Sequence, residues 1–258
     1  MAKLHKYLHM YKKSVLLHAK SAKMTVLSIE TSTSVCSAAL SVNGQTIASR
    51  IHRDGANHAR LLPVFIEELL AEMKARSLSL DAVALSEGPG SYTGLRIGAS
   101  MAKGLCYGCD IPLIPIATTE VLCAALMATR QVREGDCLLP MIDARRMEVY
   151  TALYKIQDGI PVRQSDITAC IVESGDSVPR GEGRNCFFGD GAAKCKELLA
   201  ENADFIEDIV LDAAVMGQLA MRHIEHKKQC LKGTDLAYYE PFYLKEFIAA
   251  QSHVKGLV

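Results

Sequence analysis

Two strand-like stretches, Val35 to Val42 and Gln45 to Ile51, flank the dipeptide Asn43-Gly44, and a β-branched run, Val26 to Ile29, precedes them. Asn-Gly between such stretches signals a tight antiparallel hairpin. From there the pattern alternates. His58 to Lys74 carries apolar residues at 61, 62, 65, 66, 69, 70 and 73, which is helical spacing. Asp81 to Leu85 reads as a short buried strand, Thr93 to Tyr107 as a helix, Pro112 to Ile116 as a strand, and Thr118 to Arg130 as a helix with Thr118 as its N-cap. A hairpin followed by alternating strands and helices demands a sheet whose later strands run parallel, with helices packed on its faces. The second half restarts this order. Leu138 to Ile142 and Met147 to Ile156 form a strand pair across the charged turn Asp143 to Arg146. A strand at Asn185 to Phe188 and helices at Ala192 to Leu199 and Ala213 to His226 follow. The chain therefore reads as two α/β lobes related by duplication: 24–133, then a smaller lobe at 134–232 beginning near Glu134-Gly135-Asp136, and a tail at 233–258 expected to pack back on the first lobe.

Composition supports that size of fold. With 258 residues, 49% of them hydrophobic and 22% charged, each lobe can bury a core. No run approaches the ~20 apolar residues of a membrane span. Nine cysteines, an odd number scattered through apolar stretches, suit reduced core thiols and a cytoplasmic location better than a disulfide framework. Formal net charge is zero, which gives no bulk reason to bind nucleic acid. The charge is uneven, however: residues 1–23 hold six Lys and no acid. That segment lacks the apolar core of a signal peptide. A transit peptide and a short RNA-touching basic helix are both conceivable, and the plain reading is a dispensable extension ahead of Met24.

The loop Ser86 to Gly98, SEGPGSYTGLRIG, is the most distinctive string. Glycines between a strand and a helix N-terminus are the ingredients of a phosphate cradle, and Gly189-Asp190-Gly191 repeats them. Neither matches a nucleotide fingerprint: no Gly-Lys-Ser/Thr is present, and Gly88, Gly90 and Gly94 are spaced one residue too widely for a dinucleotide motif. Glu30 and Asp143 end the first strand of each lobe, where Mg²⁺–phosphate chemistry would want carboxylates; plain strand ends are the alternative. Gly88, Gly90, Gly189 and Gly191 complete that candidate cofactor set. Metal motifs are missing. Cys106 and Cys109 form a lone C-x-x-C, and His223 and His226 lie on a face, Arg222 to Lys228, that reads as charged and solvated. In the helix Thr93 to Tyr107, Gly94, Gly98 and Ala102 recur at four-residue spacing, a device for close helix approach. That helix is apolar nearly all round, so something covers it on both sides, either the same chain or a partner.

The strings VLSIETSTSVCSAAL, NHARLLP, GPGSYTGLRIG, MIDARRMEVY and PFYLKE resemble the TsaB (YeaZ) family, in order, from Met24 to about Glu246. The resemblance implies a two-lobed actin/Hsp70/sugar-kinase-like (ribonuclease H-like) fold with duplicated lobes. It implies a non-catalytic scaffold subunit for threonylcarbamoylation of adenosine-37 in tRNAs reading codons that begin with A. Its expected partners are a TsaD-like paralogue, as a heterodimer, and a TsaE-like ATPase, with tRNA reached indirectly through the complex and no membrane. The paralogue's metal-binding histidines would fall after Ile116, where this chain reads Ala117-Thr118-Thr119-Glu120. No metal or cofactor is expected in the isolated chain; the resemblance leaves room for ATP or ADP and Mg at the assembled complex. A self-sufficient ATP-dependent phosphotransferase of the same fold and, more weakly, a metallopeptidase are the competing readings. The expected partner interface is the outward face of the first lobe's helices, with Leu61, Leu62, Phe65, Gly94, Leu95, Arg96, Gly98 and Ala102, and without the partner that face should pair with itself as a homodimer.

Overall fold

The computed structural model describes residues 23–55, 57–130, 132–201, 203–226 and 230–245. The expected extension at 1–23, apart from Lys23, and the end of the tail lie outside the described residues. Strands β1 (Thr25–Glu30), β2 (Cys36–Val42) and β3 (Gln45–His52) form an antiparallel meander, and β4 (Ala82–Gly88) and β5 (Leu113–Ala117) add in parallel, giving the order β3-β2-β1-β4-β5. Asn43 and Gly44 make the hairpin turn with φ of 50° and 80°, a region open to asparagine and glycine.

The second sheet repeats the plan. β6 (Cys137–Asp143) pairs antiparallel with β7 (Glu148–Thr151), and β7 with β10 (Thr168–Ile171). β11 (Asn185–Phe188) and β12 (Ala203–Ile206) continue in parallel, so the order is β10-β7-β6-β11-β12. Strand for strand, order and direction match the first sheet, the signature of duplication. The stretch Met147 to Ile156, expected as one strand, is two. β7 pairs with the end of β6, while β8 (Tyr154–Gln157) pairs with its beginning and, through the Asp158-Gly159 turn, with β9 (Ile160–Arg163).

Helices separate the layers. α1 (His58–Ala75) and α2 (Tyr92–Cys109) cover the outer face of the first sheet, closing a core of Leu27, Ile29, Leu62, Leu69, Leu85 and Ala102. α3 (Thr118–Thr129) and α5 (Met216–Glu225) lie between the two sheets, where Val121, Leu126, Leu219 and Ala220 meet strand residues of both. α3 is buried nearly all round, as a helix flanked by two layers must be. In the second lobe the outer helices shrink. The helix expected from Ala192 is a 3₁₀ turn followed by α4 (Lys196–Leu199), and a three-residue 3₁₀ turn stands where α1 would recur. The last expected helix likewise opens with a 3₁₀ turn at Ala213–Val215. Thr118 is not an N-cap. Ala117 holds that position without a side-chain bond, and the Thr118 hydroxyl instead bonds Ser86 Oγ at 2.8 Å and accepts from the Gly88 amide at 3.1 Å. α6 (Gly233–Tyr238) packs Leu236 into the first core, and Lys103 Nζ on α2 donates to the Ala237 and Tyr239 carbonyls.

Candidate functional site

The carboxyl ends of β1, β4, β6 and β11 converge on a cleft of about 1020 Å³ between the lobes, the place where α/β sheets bind ligands. Its walls come from 32–34, 57–60, 90–94, 142–146 and 243–245, with Ile97, Glu148, Tyr150 and Asp190.

Glu30 ends β1 with no exposed surface. Its Oε1 accepts from the Ser32 amide at 2.6 Å and from the Ser32 hydroxyl at 2.5 Å, while Oε2 has no hydrogen-bond partner among the described residues. Burial pushes its pKa up against the lowering effect of the serine bonds. Asp143, ending β6, is exposed and ion-pairs with Lys194. Asp190 accepts from the Asp143 amide at 3.0 Å, and its desolvated setting, with help from Asp143, raises its pKa.

The glycines of both loops are explained by the chain itself. A Cβ on Gly90 would overlap the Ser32 carbonyl, one on Gly94 the Thr31 carbonyl, and one on Gly98 the Thr31 hydroxyl. The Ser91 amide bonds the Ser32 carbonyl at 2.6 Å, and Thr31 Oγ1 bonds the Gly94 carbonyl at 2.9 Å. Gly88, at φ 119°, lies under the Phe242 carbonyl, 2.5 Å from its would-be Cβ. Gly189, at φ 106°, passes against the Met141 carbonyl, and Gly191 against the Asp143 amide at 3.0 Å. Close backbone crossing, not space for a phosphate, is what these positions share.

The same observation corrects the expected interface. Gly94, Leu95, Gly98 and Ala102 are buried, the glycines against Thr31, and Leu62 has no exposed surface. The small-residue stripe brings α2 down onto its own sheet, so it faces inward. Leu61 and Phe65 are half-buried on the same core. Arg96 is exposed and donates to the Tyr92 hydroxyl at 2.9 Å. What α1 and α2 present outward is a groove of about 720 Å³ lined by Pro63, Ile97, Ser100, Met101, Gly104 and Leu105, of which the last five lie on α2.

Other assignments shift too. His223 is buried, not solvated, and meets both oxygens of Glu120 at 3.2 Å, joining α5 to α3; His226 is exposed. All nine cysteines are free. Cys106 is buried, with burial raising its thiol to about 12, while Cys109 is exposed, so the C-x-x-C pair does not share one environment. Among the described residues no group of three or more His, Cys, Asp or Glu could hold a metal ion, and no helix is long and apolar enough to cross a membrane. Sequence reasoning passed over Arg60, Tyr92, Tyr243 and Lys245, which reach the cleft from separate segments; the charged turn Arg145-Arg146 was the visible signal.

A family model described as "TsaD: tRNA N6-adenosine threonylcarbamoyltransferase" matches residues 46–246. The chain is similar to the tRNA threonylcarbamoyladenosine biosynthesis protein TsaB of Haemophilus influenzae, 39% identical over 132 residues, covering 49% of this chain and 52% of that one. It is also similar to TsaB of Bacillus subtilis, 37% identical over 139 residues, covering 53% and 58%. The chain thus spans about half the length of the curated relatives it matches. Among solved structures, YeaZ from Pseudomonas aeruginosa superposes with a TM-score of 0.70 at 23% identity, over 86% of this chain and all of that one, which speaks to the fold.

Proposed function

The chain belongs to the TsaB (YeaZ) family, and from that premise we propose that it acts in tRNA threonylcarbamoyladenosine biosynthesis as the non-catalytic partner of a TsaD-like transferase, with a TsaE-like ATPase joining the pair. The observation that carries the scaffold reading is the outer face of α1 and α2. Its groove is lined by Ile97, Met101 and Leu105, with Ser100 and Gly104 exposed beside them. An apolar groove between two long helices suits the facing pair of helices of a paralogous lobe. In isolation the same face would pair two copies of this chain symmetrically. Supporting the non-catalytic half, the loop glycines are filled by the chain's own backbone, and Asp143 is tied to Lys194.

The test is Gly104→Arg. A Cβ at Gly104 meets nothing within 4 Å, and arginine is the better helix former by about 1 kcal/mol, so folding should be retained. Association with the transferase and with a second copy should weaken at least ten-fold, and modification of tRNA in the reconstituted system should fall with it. Unchanged association of a folded Gly104→Arg chain would place the interface elsewhere. Turnover of ATP by the pure chain that depends on Glu30 would instead favour a phosphotransferase.

A further inference from the structure

We infer that the interlobe cleft holds a stretch of RNA backbone, so that this chain contacts the tRNA directly. The inference rests on the function proposed above and extends it to a surface of this chain.

Charge is the first ground. The whole chain is neutral and its acids outnumber its bases beyond Lys23, so any affinity for a polyanion must be local. The cleft supplies that locality. Arg60, Arg145 and Arg146 are exposed along it and make no ion pair among the described residues. Its acids are engaged: Asp143 pairs with Lys194, Glu148 with Lys245, and Asp190 accepts the Asp143 amide. Three arginine forks, against a single lining carboxylate, Asp190, that makes no salt bridge among the described residues, leave a positive wall, and guanidinium is the side chain best matched to phosphate.

Backbone geometry is the second. Arg145 and Arg146 occupy left-handed conformations in succession, at φ 69° and 49°. That region favours glycine and asparagine, and both side chains are exposed, so packing does not call for arginine there. A turn selected for folding alone would carry Asn or Gly. Displaying two charges at the cleft mouth accounts for the choice.

The third ground decides between a strand and a mononucleotide. The glycine loops, where a single nucleotide's phosphates would be cradled, are filled by the Thr31, Ser32 and Met141 carbonyls. The cleft instead runs on into a neighbouring groove of about 560 Å³, sharing Tyr92, Tyr243 and Lys245 with it. The Tyr92 and Tyr243 rings meet at 5.0 Å, tilted by 43°, where the two join. A long basic channel with aromatic rings along it fits successive phosphates and unstacked bases of a strand.

The experiment uses the full chain, alone and with the transferase, and measures binding of a labelled unmodified tRNA by fluorescence anisotropy across a salt series. Arg145→Asn with Arg146→Gly relieves the backbone and removes both charges, so its melting temperature should not fall. The double variant should bind tRNA at least ten-fold more weakly, with a salt slope shallower by about 1.4, the counterion release of two single-strand phosphates. Arg60→Ala should weaken binding further, whereas Arg130→Asn, an exposed arginine on the far end of α3, should not. Unchanged affinity or slope in the double variant, an equal loss in Arg130→Asn, or displacement of tRNA by ADP at comparable concentration would overturn the inference. So would a lack of arginine-dependent tRNA binding both alone and in the complex. Association with the transferase is read separately on the same proteins. A chain that binds tRNA but no transferase removes the functional reading and leaves the RNA surface standing.

Discussion

Glycine is used three ways along α2, and the differences are measurable. At Gly94 an added methyl meets the Thr31 carbonyl, which is backbone and cannot swing aside. Overpacking of that kind costs about 1–3 kcal/mol, more than the roughly 1 kcal/mol that alanine gains as a helix former. Gly94→Ala should therefore lower stability in urea denaturation. At Gly98 the obstacle is the Thr31 hydroxyl, a side-chain atom that can rotate only by giving up its buried bond to the Gly94 carbonyl, so Gly98→Ala should destabilise, but by less than Gly94→Ala. Gly104 faces open space, and Gly104→Ala should stabilise by up to about 1 kcal/mol. Any other ranking of the three would mean that α2 does not rest on Thr31. Glu30 yields a pH prediction. Burial raises its pKa above the ordinary 4.5, so the folded state holds the proton more tightly than the unfolded one. Stability from this group is then greatest at low pH and is lost as pH rises from about 4.5 through the raised folded value. Glu30→Gln keeps an acceptor for Ser32 and abolishes the titration. The difference in melting temperature between Glu30→Gln and the parent should widen in the variant's favour between pH 5 and 8. A difference that is flat with pH, or that grows in the parent's favour, would show Glu30 to be stabilised as a carboxylate.

Among the elements, those bounded by clear chemistry were legible and those defined by distant partners were not. The helices at 58–75 and 92–109 lie within two residues of where apolar spacing puts them, because each buries one face on a sheet and ends at a turn. α3 was also legible, but its first residue was misjudged for an instructive reason. Threonine before an apolar run reads as an N-cap, yet Thr118 is fully buried and turns its hydroxyl toward Ser86 and Gly88 across the sheet. Thr118→Val, which keeps the shape, should strand a buried hydroxyl and a buried amide, at about 1–3 kcal/mol each when unsatisfied. A loss of at least 1 kcal/mol with the helix intact is expected; a loss of only a few tenths would return Thr118 to the role of a simple helix starter. The split of 147–156 into β7 and β8 was not legible, since both halves are strand-like and only the two ends of β6 decide which residue pairs where. The small-residue stripe failed in the same way. Four-residue spacing announces a close approach but not to what, and here the neighbour of both glycines is the chain's own Thr31.

At the scale of the molecule, two sheets of identical order face each other through α3 and α5, and the cleft between them is crossed by the segment after α6. Three attachments fix that segment. Lys103 on the first lobe holds the Ala237 and Tyr239 carbonyls at 2.7 and 3.0 Å; the Phe242 amide donates to the Glu87 carbonyl at 2.7 Å; and Lys245 pairs with Glu148 on the second lobe. Duplication could be read in the sequence from the repeated order of elements, but the crossing could not, because PFYLKE carries no periodicity that says which lobes it touches. The segment behaves as a strap only if its two lysine anchors depend on each other. Lys245→Gln alone removes a partly exposed ion pair and should cost under about 1 kcal/mol. Lys103→Met alone removes charged hydrogen bonds to two carbonyls and should cost about 1–2 kcal/mol, less than a buried pair would because Lys103 is half-exposed. With one anchor gone the segment is freer, so losing the second has less left to release. The double variant should therefore destabilise by less than the sum of the singles, with a coupling of at least 0.5 kcal/mol. Hydrogen exchange should rise across 240–245 and the 143–148 turn in either single variant. Additive losses, or exchange that rises only beside the altered lysine, would mean that the two lobes are held by their shared core alone and that the strap restrains nothing.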